Sequence, residues 1–258
     1  MLVATWNVNG LRARFDYISH WLAAREPDVV GFQELKMTDE AFPTADFEAL
    51  GYHTLTHGQK AWNGVAVLSR NPGTAIQRGL PGQDDFGSRL ITVDVDGLSF
   101  TTVYCPNGKN IEHDDFPRKL AWFDALVAHM QPIAAADTPA IICGDFNICP
   151  TSLDTWDEKG LNGHIFHTDA ERDRMQQLYD QGWTDLFREQ HPDSSAFSWW
   201  DYRAGSFQRN HGLRIDFVLA NAAARERASD VRIDRDFRKK VEGLTASDHA
   251  PVLAELSL

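Results

Sequence analysis

Asp145 and Asn147 stand two residues apart behind an apolar run, Ile141-Ile142-Cys143-Gly144, and Pro150 closes the segment. On an extended backbone, residues two apart share a face. A carboxylate and a carboxamide placed so can orient one water molecule between them, or hold a hard cation through oxygen. An Asx turn closing a buried strand uses the same residues without any chemistry. Repetition of the pattern elsewhere separates the two readings.

The pattern does repeat. Asn7 follows the apolar run 2–6, Glu34 follows 29–33, and Tyr104 follows 98–103 and opens Cys105-Pro106-Asn107-Gly108. Asp216 lies near the start of the run 214–219, and Asp248-His249 leads into 252–256. Singly, each residue has a plain role: Asn7 caps a turn, Glu34 pairs with Lys36, Tyr104 packs, and Asp248-His249 is a surface turn. Jointly they place acidic, amide, phenol and imidazole groups at strand ends, where α/β sheets present ligands. Glu34 with amide oxygens makes a hard-oxygen site of the kind Mg²⁺ takes. A further carboxylate is then available to activate water, and a His held by a carboxylate can meet developing negative charge. The sequence contains no nucleophile elbow, no Walker-type glycine loop and no G-x-G-x-x-G. P-loop nucleotide hydrolysis and hydride transfer therefore lack their parts. Metal-assisted phosphodiester hydrolysis fits these residues best.

The elements that must position them can be read from periodicity. Besides the runs above, 64–69 and 90–95 read as strands. Phe15, Ile18, Trp21 and Leu22 have helical spacing and stop before Pro27, as do Leu120, Phe123, Leu126, Val127 and Met130 after Pro117. Met175, Leu178 and Tyr179 mark another helix, closed by Gly182. Strands that alternate with helices but also follow one another imply a mixed α/β sandwich. Long polar connections at 36–46, 79–89, 107–118, 149–167 and 199–212 follow the strand ends, and loops of that length are usually functional.

No Pro/Gly/Ser-rich linker divides the 258 residues, so one domain over 1–258 is expected. A hydrophobic share of 43% with eight Trp indicates a substantial core. No 18-residue apolar run or charged leader occurs, which points to a cytoplasmic protein without a membrane role. Cys105, Cys143 and Cys149 form no C-x-x-C pair and suit a reducing compartment as small buried hydrophobes. The formal net charge of −12 argues against general nucleic-acid affinity, so any such role rests on a local basic surface or on bound metal. Between Ser198 and Lys240 basic residues do outnumber acidic ones. Arg203, Arg209 and Arg214 there are candidate phosphate contacts, with a solvated, self-paired face as the alternative.

Taken together, W-N-V-N-G (6–10), F-Q-E-L-K (32–36), Y-C-P-N-G (104–108), G-D-F-N-I-C-P-T (144–151), F-S-W-W-D-Y-R (197–203), G-L-R-I-D-F (212–217) and S-D-H-A-P-V (247–252) resemble the exonuclease III family of abasic-site endonucleases. The segments occur in the family's order and span almost the whole chain. This resemblance implies a four-layer α/β sandwich of two mixed sheets flanked by helices, dependence on Mg²⁺ or Mn²⁺, and a monomer acting in DNA repair. Its implied substrate is double-stranded DNA with abasic sites or blocked 3′ ends, cut by abasic-site incision and 3′–5′ exonuclease trimming.

Carried over, Glu34 is the metal carboxylate with Asn7 beside it, and Asp145 aligns or deprotonates the attacking water with Asn147 in support, both also near the metal. His249 contacts the scissile phosphate and is oriented by Asp216, while Asp248 serves a second metal position or the leaving group. Tyr104 and Asn107 bind phosphate oxygens, and Trp199, Leu213 and Ile215 line a small apolar pocket suited to a flipped, baseless deoxyribose. Departures exist at Asn9, where some relatives carry a carboxylate, at Leu213, where some carry Trp, and at Asn107, where bacterial members often have Gln. Alternatives on the same scaffold are a nonspecific nuclease or phosphoesterase and a noncatalytic RNA-binding relative; the second is disfavoured by the intact Glu34, Asp145, Asn147, Asp216 and His249.

Overall fold

The structure, a computed structural model, describes residues 1–241 and 243–258. In chain order the first half holds β1 (Leu2–Asn7), α1 (Leu11–Arg25), β2 (Val29–Gln33), α2 (Thr44–Ala49), β3 (His53–His57), β4 (Val65–Ser69), β5 (Thr74–Arg78), β6 (Leu90–Val95) and β7 (Leu98–Tyr104). There follow α3 (Asp115–Ala134), β8 (Ala140–Asp145), α4 (Glu158–Leu161), α5 (Asp169–Asp180), β9 (Thr184–Asp185) and α6 (Leu186–Gln190). The chain finishes with α7 (Ser206–Arg209), β10 (Asp216–Ala220), α8 (Ala222–Arg225), β11 (Ala228–Ile233) and β12 (Val252–Leu256).

Two six-stranded sheets form, in the orders β11-β12-β1-β2-β4-β3 and β5-β6-β7-β8-β10-β9. Each is mixed: β1 runs parallel to β2 and β7 to β8, and the other pairs described are antiparallel. Because side chains alternate across a strand, each sheet has an inner and an outer apolar face. Val3, Val29 and Val67 of the first sheet meet Val93, Phe100, Ile141 and Val218 of the second in the central core. On the outside, Tyr17, Ile18, Trp21 and Leu22 of α1 cover Trp6, Phe32 and Leu253. Trp122, Phe123 and Leu126 of α3, with Met175 and Leu178 of α5, cover Ile142, Phe217 and Leu219. The result is the expected four-layer sandwich. α3 is longer than the apolar spacing indicated, with Pro117 in its first turn, where a missing N–H costs nothing, and Pro132 in its last.

At the site end, a polar stitch replaces the apolar filling. The amide of Gln33 on β2 donates to Thr5 on β1 at 2.8 Å and, across the sheets, to Thr102 on β7 at 2.7 Å. Gly31 lets the sheets come this close, because a Cβ there would lie 2.5 Å from the Thr102 hydroxyl oxygen. Gly31→Ala should accordingly cost about 1–3 kcal/mol of stability through overpacking. Urea unfolding would show it as a lowered midpoint at unchanged slope. A midpoint at the wild-type value would refute the close-approach argument.

Candidate active site

Strand direction gathers the chemistry on one rim. Asn7, Tyr104 and Asp145 end β1, β7 and β8, and Glu34 follows β2. Asp216 begins β10 and Asp248-His249 precedes β12, strands antiparallel to β8 and β1, so their N-terminal ends reach the same side. Asp145 lies directly opposite both Asp216 and Tyr104 in the ladder.

There the side chains interlock. Both oxygens of Asp216 face His249 Nδ1, at 2.9 and 3.1 Å, and Asp216 also accepts from the Ser198 hydroxyl at 2.5 Å. The other ring nitrogen, Nε2, lies 3.8 Å from Asp145 Oδ2. That same carboxylate oxygen accepts from Asn7 Nδ2 at 2.9 Å, and Asn7 Nδ2 also reaches Glu34 Oε1 at 3.1 Å. Glu34 Oε2 pairs with Lys36 at 2.9 Å. The plain pairing of Glu34 with Lys36 is thus present within the cluster. Asp248 accepts from Asn9 Nδ2 at 2.9 Å and from the Trp199 indole at 3.0 Å. His249 is buried, so its turn is not a surface one.

The Asp145 and Asn147 pair meets by a route other than a shared strand face. Asp145 ends β8, whereas Asn147 is left-handed with φ of 51°. The Asn147 N–H donates to Asp145 Oδ1 at 2.9 Å, so the Asx turn and the chemical arrangement are one feature. Asn147 Nδ2 donates to the Cys105 carbonyl at 3.0 Å, while its Oδ1 lies 3.4 Å from the exposed Asn107 amide nitrogen. Gly144 is required just before, because a Cβ there would fall 1.9 Å from the Val103 carbonyl oxygen.

One expectation needs correction. Arg214 is 1% exposed and its guanidinium is paired with Asp154 and Asp185, both at 2.7 Å, so it is a buried tie beneath the rim and cannot reach phosphate. Leu213 and Ile215 are 5% and 2% exposed and pack with Cys149 and Trp199, and Leu213 is bridged by Thr155 on one side and Trp199 on the other. Trp199 is partly buried, with its indole N–H on Asp248. Arg203 and Arg209 are exposed, but Arg203 is already held by Asp201 at 2.8 Å.

Sequence reasoning also missed residues that hold the site. Ser247 donates to the Asn7 carbonyl at 2.6 Å and Ser198 braces Asp216, and both lie inside motifs where nothing but position marks them. Lys119, fully buried on α3, donates to the Asn147 carbonyl at 2.7 Å, the Asn107 carbonyl at 3.2 Å and Glu171 at 2.5 Å. A lysine on a helix gives no sign of this. Arg89 stacks over Tyr104 and, with Trp62, Tyr104 and Asn107, lines a cleft of about 530 Å³ beside the cluster. All three cysteines are buried free thiols.

Electrostatics follow from this crowding. Burial, opposed by His249 but reinforced by Asp216, pushes the Asp145 carboxyl up to about 7. For His249 burial acts downward, yet Asp216, then Asp145 and Asp248, outweigh it and raise the imidazole to about 10. Burial also opposes the Glu34 carboxylate, but Lys36, Tyr104 and Asn7 hold it below its usual range. Asp145, Asp216 and His249 bring ligand-type atoms within 4.8 Å of one another. With His249 Nδ1 committed to Asp216, that trio is built as an acid–base chain. The hard oxygens of Glu34 and Asp145 beside the Asn7 amide suit a divalent cation, whose charge would offset the carboxylate crowding.

Two outcomes follow. The His249 ring should keep its proton through neutral pH and titrate near 10, and in Asp216→Asn, which removes its strongest acidic neighbour, burial should drive the value down. Nitrogen-detected NMR reads this directly, and an unmoved titration in the variant would contradict the assignment. Arg214→Met should lower stability by about 3–5 kcal/mol, since it strands buried Asp154 and Asp185. A fully stable Arg214→Met protein whose DNA binding depended less on salt would restore the phosphate-contact reading instead.

The chain matches the model of the Endonuclease/Exonuclease/phosphatase family over residues 4–249. Exodeoxyribonuclease III of Haemophilus influenzae is 38% identical over 268 aligned residues, covering 99% of each chain. A 3′ phosphatase from Neisseria, solved with a product DNA hairpin, superposes with a TM-score of 0.95 at 37% identity over 100% of both chains. An AP endonuclease from Archaeoglobus fulgidus gives 0.95 at 30% identity, again over 100% of both. No helix among the described residues is long and apolar enough to cross a membrane. By the family match and these full-length likenesses, in keeping with a rim of carboxylates around a His–Asp pair, the chain belongs to the endonuclease/exonuclease/phosphatase family.

Proposed function

We propose that this protein is a Mg²⁺-dependent phosphodiester hydrolase, with Mn²⁺ able to substitute, that acts on double-stranded DNA in base excision repair. It incises on the 5′ side of abasic sites and trims blocked or normal 3′ ends as a 3′–5′ exonuclease. The observation that carries this is the continuous contact from Glu34 through Asn7 to Asp145, with His249 3.8 Å beyond and backed by Asp216. Full-length relatives named for exonuclease and abasic-site activities support the choice of DNA. The protein acts as a monomer in the cytoplasm, a compartment that its free buried thiols fit.

In this reading Glu34 holds the cation, with Asn7, Asp145, Asn147 and Asp248 around it; when bound, the ion polarises the phosphate and offsets its charge. Asp145, fixed by Asn7 and by the Asn147 N–H, takes a proton from the attacking water. An acid held near 7 is matched to that task at neutral pH. His249 stays protonated and donates to the phosphate as charge builds, with Asp216 fixing ring and tautomer. Tyr104, kept neutral by burial, and Asn107 donate to other phosphate oxygens. Exposed Arg209 and Arg203 counter the duplex charge at the edge of an otherwise acidic surface.

Asp145→Asn should cut incision of a duplex bearing one abasic site by on the order of a thousandfold or more, with DNA binding retained. Chelation of divalent ions should abolish wild-type cutting, and added Mg²⁺ should restore it. Turnover like wild type by Asp145→Asn, or cutting that survives chelation, would overturn the proposal.

A further inference from the structure

The Trp156 side chain lies outside the core. It belongs to none of the hydrophobic clusters among the described residues, and it is 44% exposed. One face of its ring lies flat on His211, with centroids 3.9 Å apart and planes 10° from parallel. The backbone is fixed as well: the Trp156 N–H donates to the Gly212 carbonyl at 3.1 Å.

This platform is joined to the active site by a ladder of single bridges. Thr155 pairs with Leu213, Leu213 with Trp199, and Trp199 with His249. At about 4.8 Å per step, the Trp156 row lies about 15 Å from that of His249. A strand rises about 3.4 Å per nucleotide in duplex and further where it is unstacked, so this separation is at most about four nucleotides.

The surroundings suit a base better than a phosphate. Glu158 is neutralised by Arg172 through bonds of 2.9 and 2.7 Å, and Asp157 is occupied in accepting from the Gly160 N–H at 2.9 Å. Arg209, two residues before His211, forms no ion pair among the described residues and can meet the adjoining backbone phosphate. Stacking tolerates any base, because every base has a π face.

We infer that Trp156, backed by His211, is a stacking platform for an unpaired nucleobase of the DNA substrate within about four nucleotides of the scissile phosphate. The inference rests on the DNA-hydrolase reading and adds a substrate class to it. Within continuous duplex both faces of each base are already covered, so the platform serves frayed or single-stranded segments at a 3′ end.

The test uses 2-aminopurine, whose fluorescence stacking quenches, placed at successive positions of a single-stranded 3′ overhang on otherwise duplex DNA. Wild type should quench the probe at one or two adjacent positions, Trp156→Ala should not, and Trp156→Phe should restore part of the quenching. Trp156→Ala should also bind the overhang substrate on the order of tenfold more weakly. Equal quenching by wild type and Trp156→Ala at every position would overturn the inference. Incision of an internal abasic site by wild type, run in parallel, separates that failure from failure of the hydrolase reading.

Discussion

The hydrogen bond from His249 to Asp216 crosses between the two sheets, and the site depends on that crossing. His249, Asp248, Glu34 and Asn7 come from the β1–β2–β12 side, whereas Asp216, Asp145, Asn147 and Tyr104 come from the β7–β8–β10 side. Neither sheet alone carries both the imidazole and the carboxylate that orients it, or both Glu34 and the water-activating Asp145. Packing the inner apolar faces therefore also assembles the reagents, and the distances of 2.9 Å at His249–Asp216 and at Asn7–Asp145 are set by how closely the sheets approach.

Burying charges at such a seam opposes folding unless every group finds a partner. The structure supplies them from short polar side chains. Ser198 satisfies Asp216, Ser247 fixes the Asn7 carbonyl and the His249 N–H, and Gln33 links Thr5 with Thr102. Lys119 ties the Asn107 and Asn147 carbonyls to Glu171, whose carboxylate also caps α5. What stays unbalanced is the carboxylate crowding at Asp145. Burial first, and that surplus second, lift its proton affinity, and the surplus gives a divalent cation its place.

Much of this was legible in the sequence, and the rest was hidden for physical reasons. The eight central strands announce themselves because burial on both faces demands apolar runs. The four that escaped notice, β3, β5, β9 and β11, are the outermost strands, short or half-solvated and carrying no such run. Site residues were readable where the chemistry sits at a strand end, as with Glu34, Asp145, Asp216 and His249. Side-chain direction was not: Arg214 lies beside these residues in sequence, yet its guanidinium turns inward to Asp154 and Asp185, because a buried aspartate pair needs a cation. Nor could spacing reveal that Asn147 leaves the extended conformation, or that Lys119 reaches the site from a helix.

If His249 and Asp216 act as one unit across the seam, removing either should forfeit nearly all that the pair contributes to turnover. A double-mutant cycle of Asp216→Ala and His249→Ala, read as kcat on a duplex with one abasic site, measures this directly. The double variant should be hardly slower than the His249→Ala enzyme. Losses that multiply, with the double variant slowed by the product of the single effects, would contradict the account.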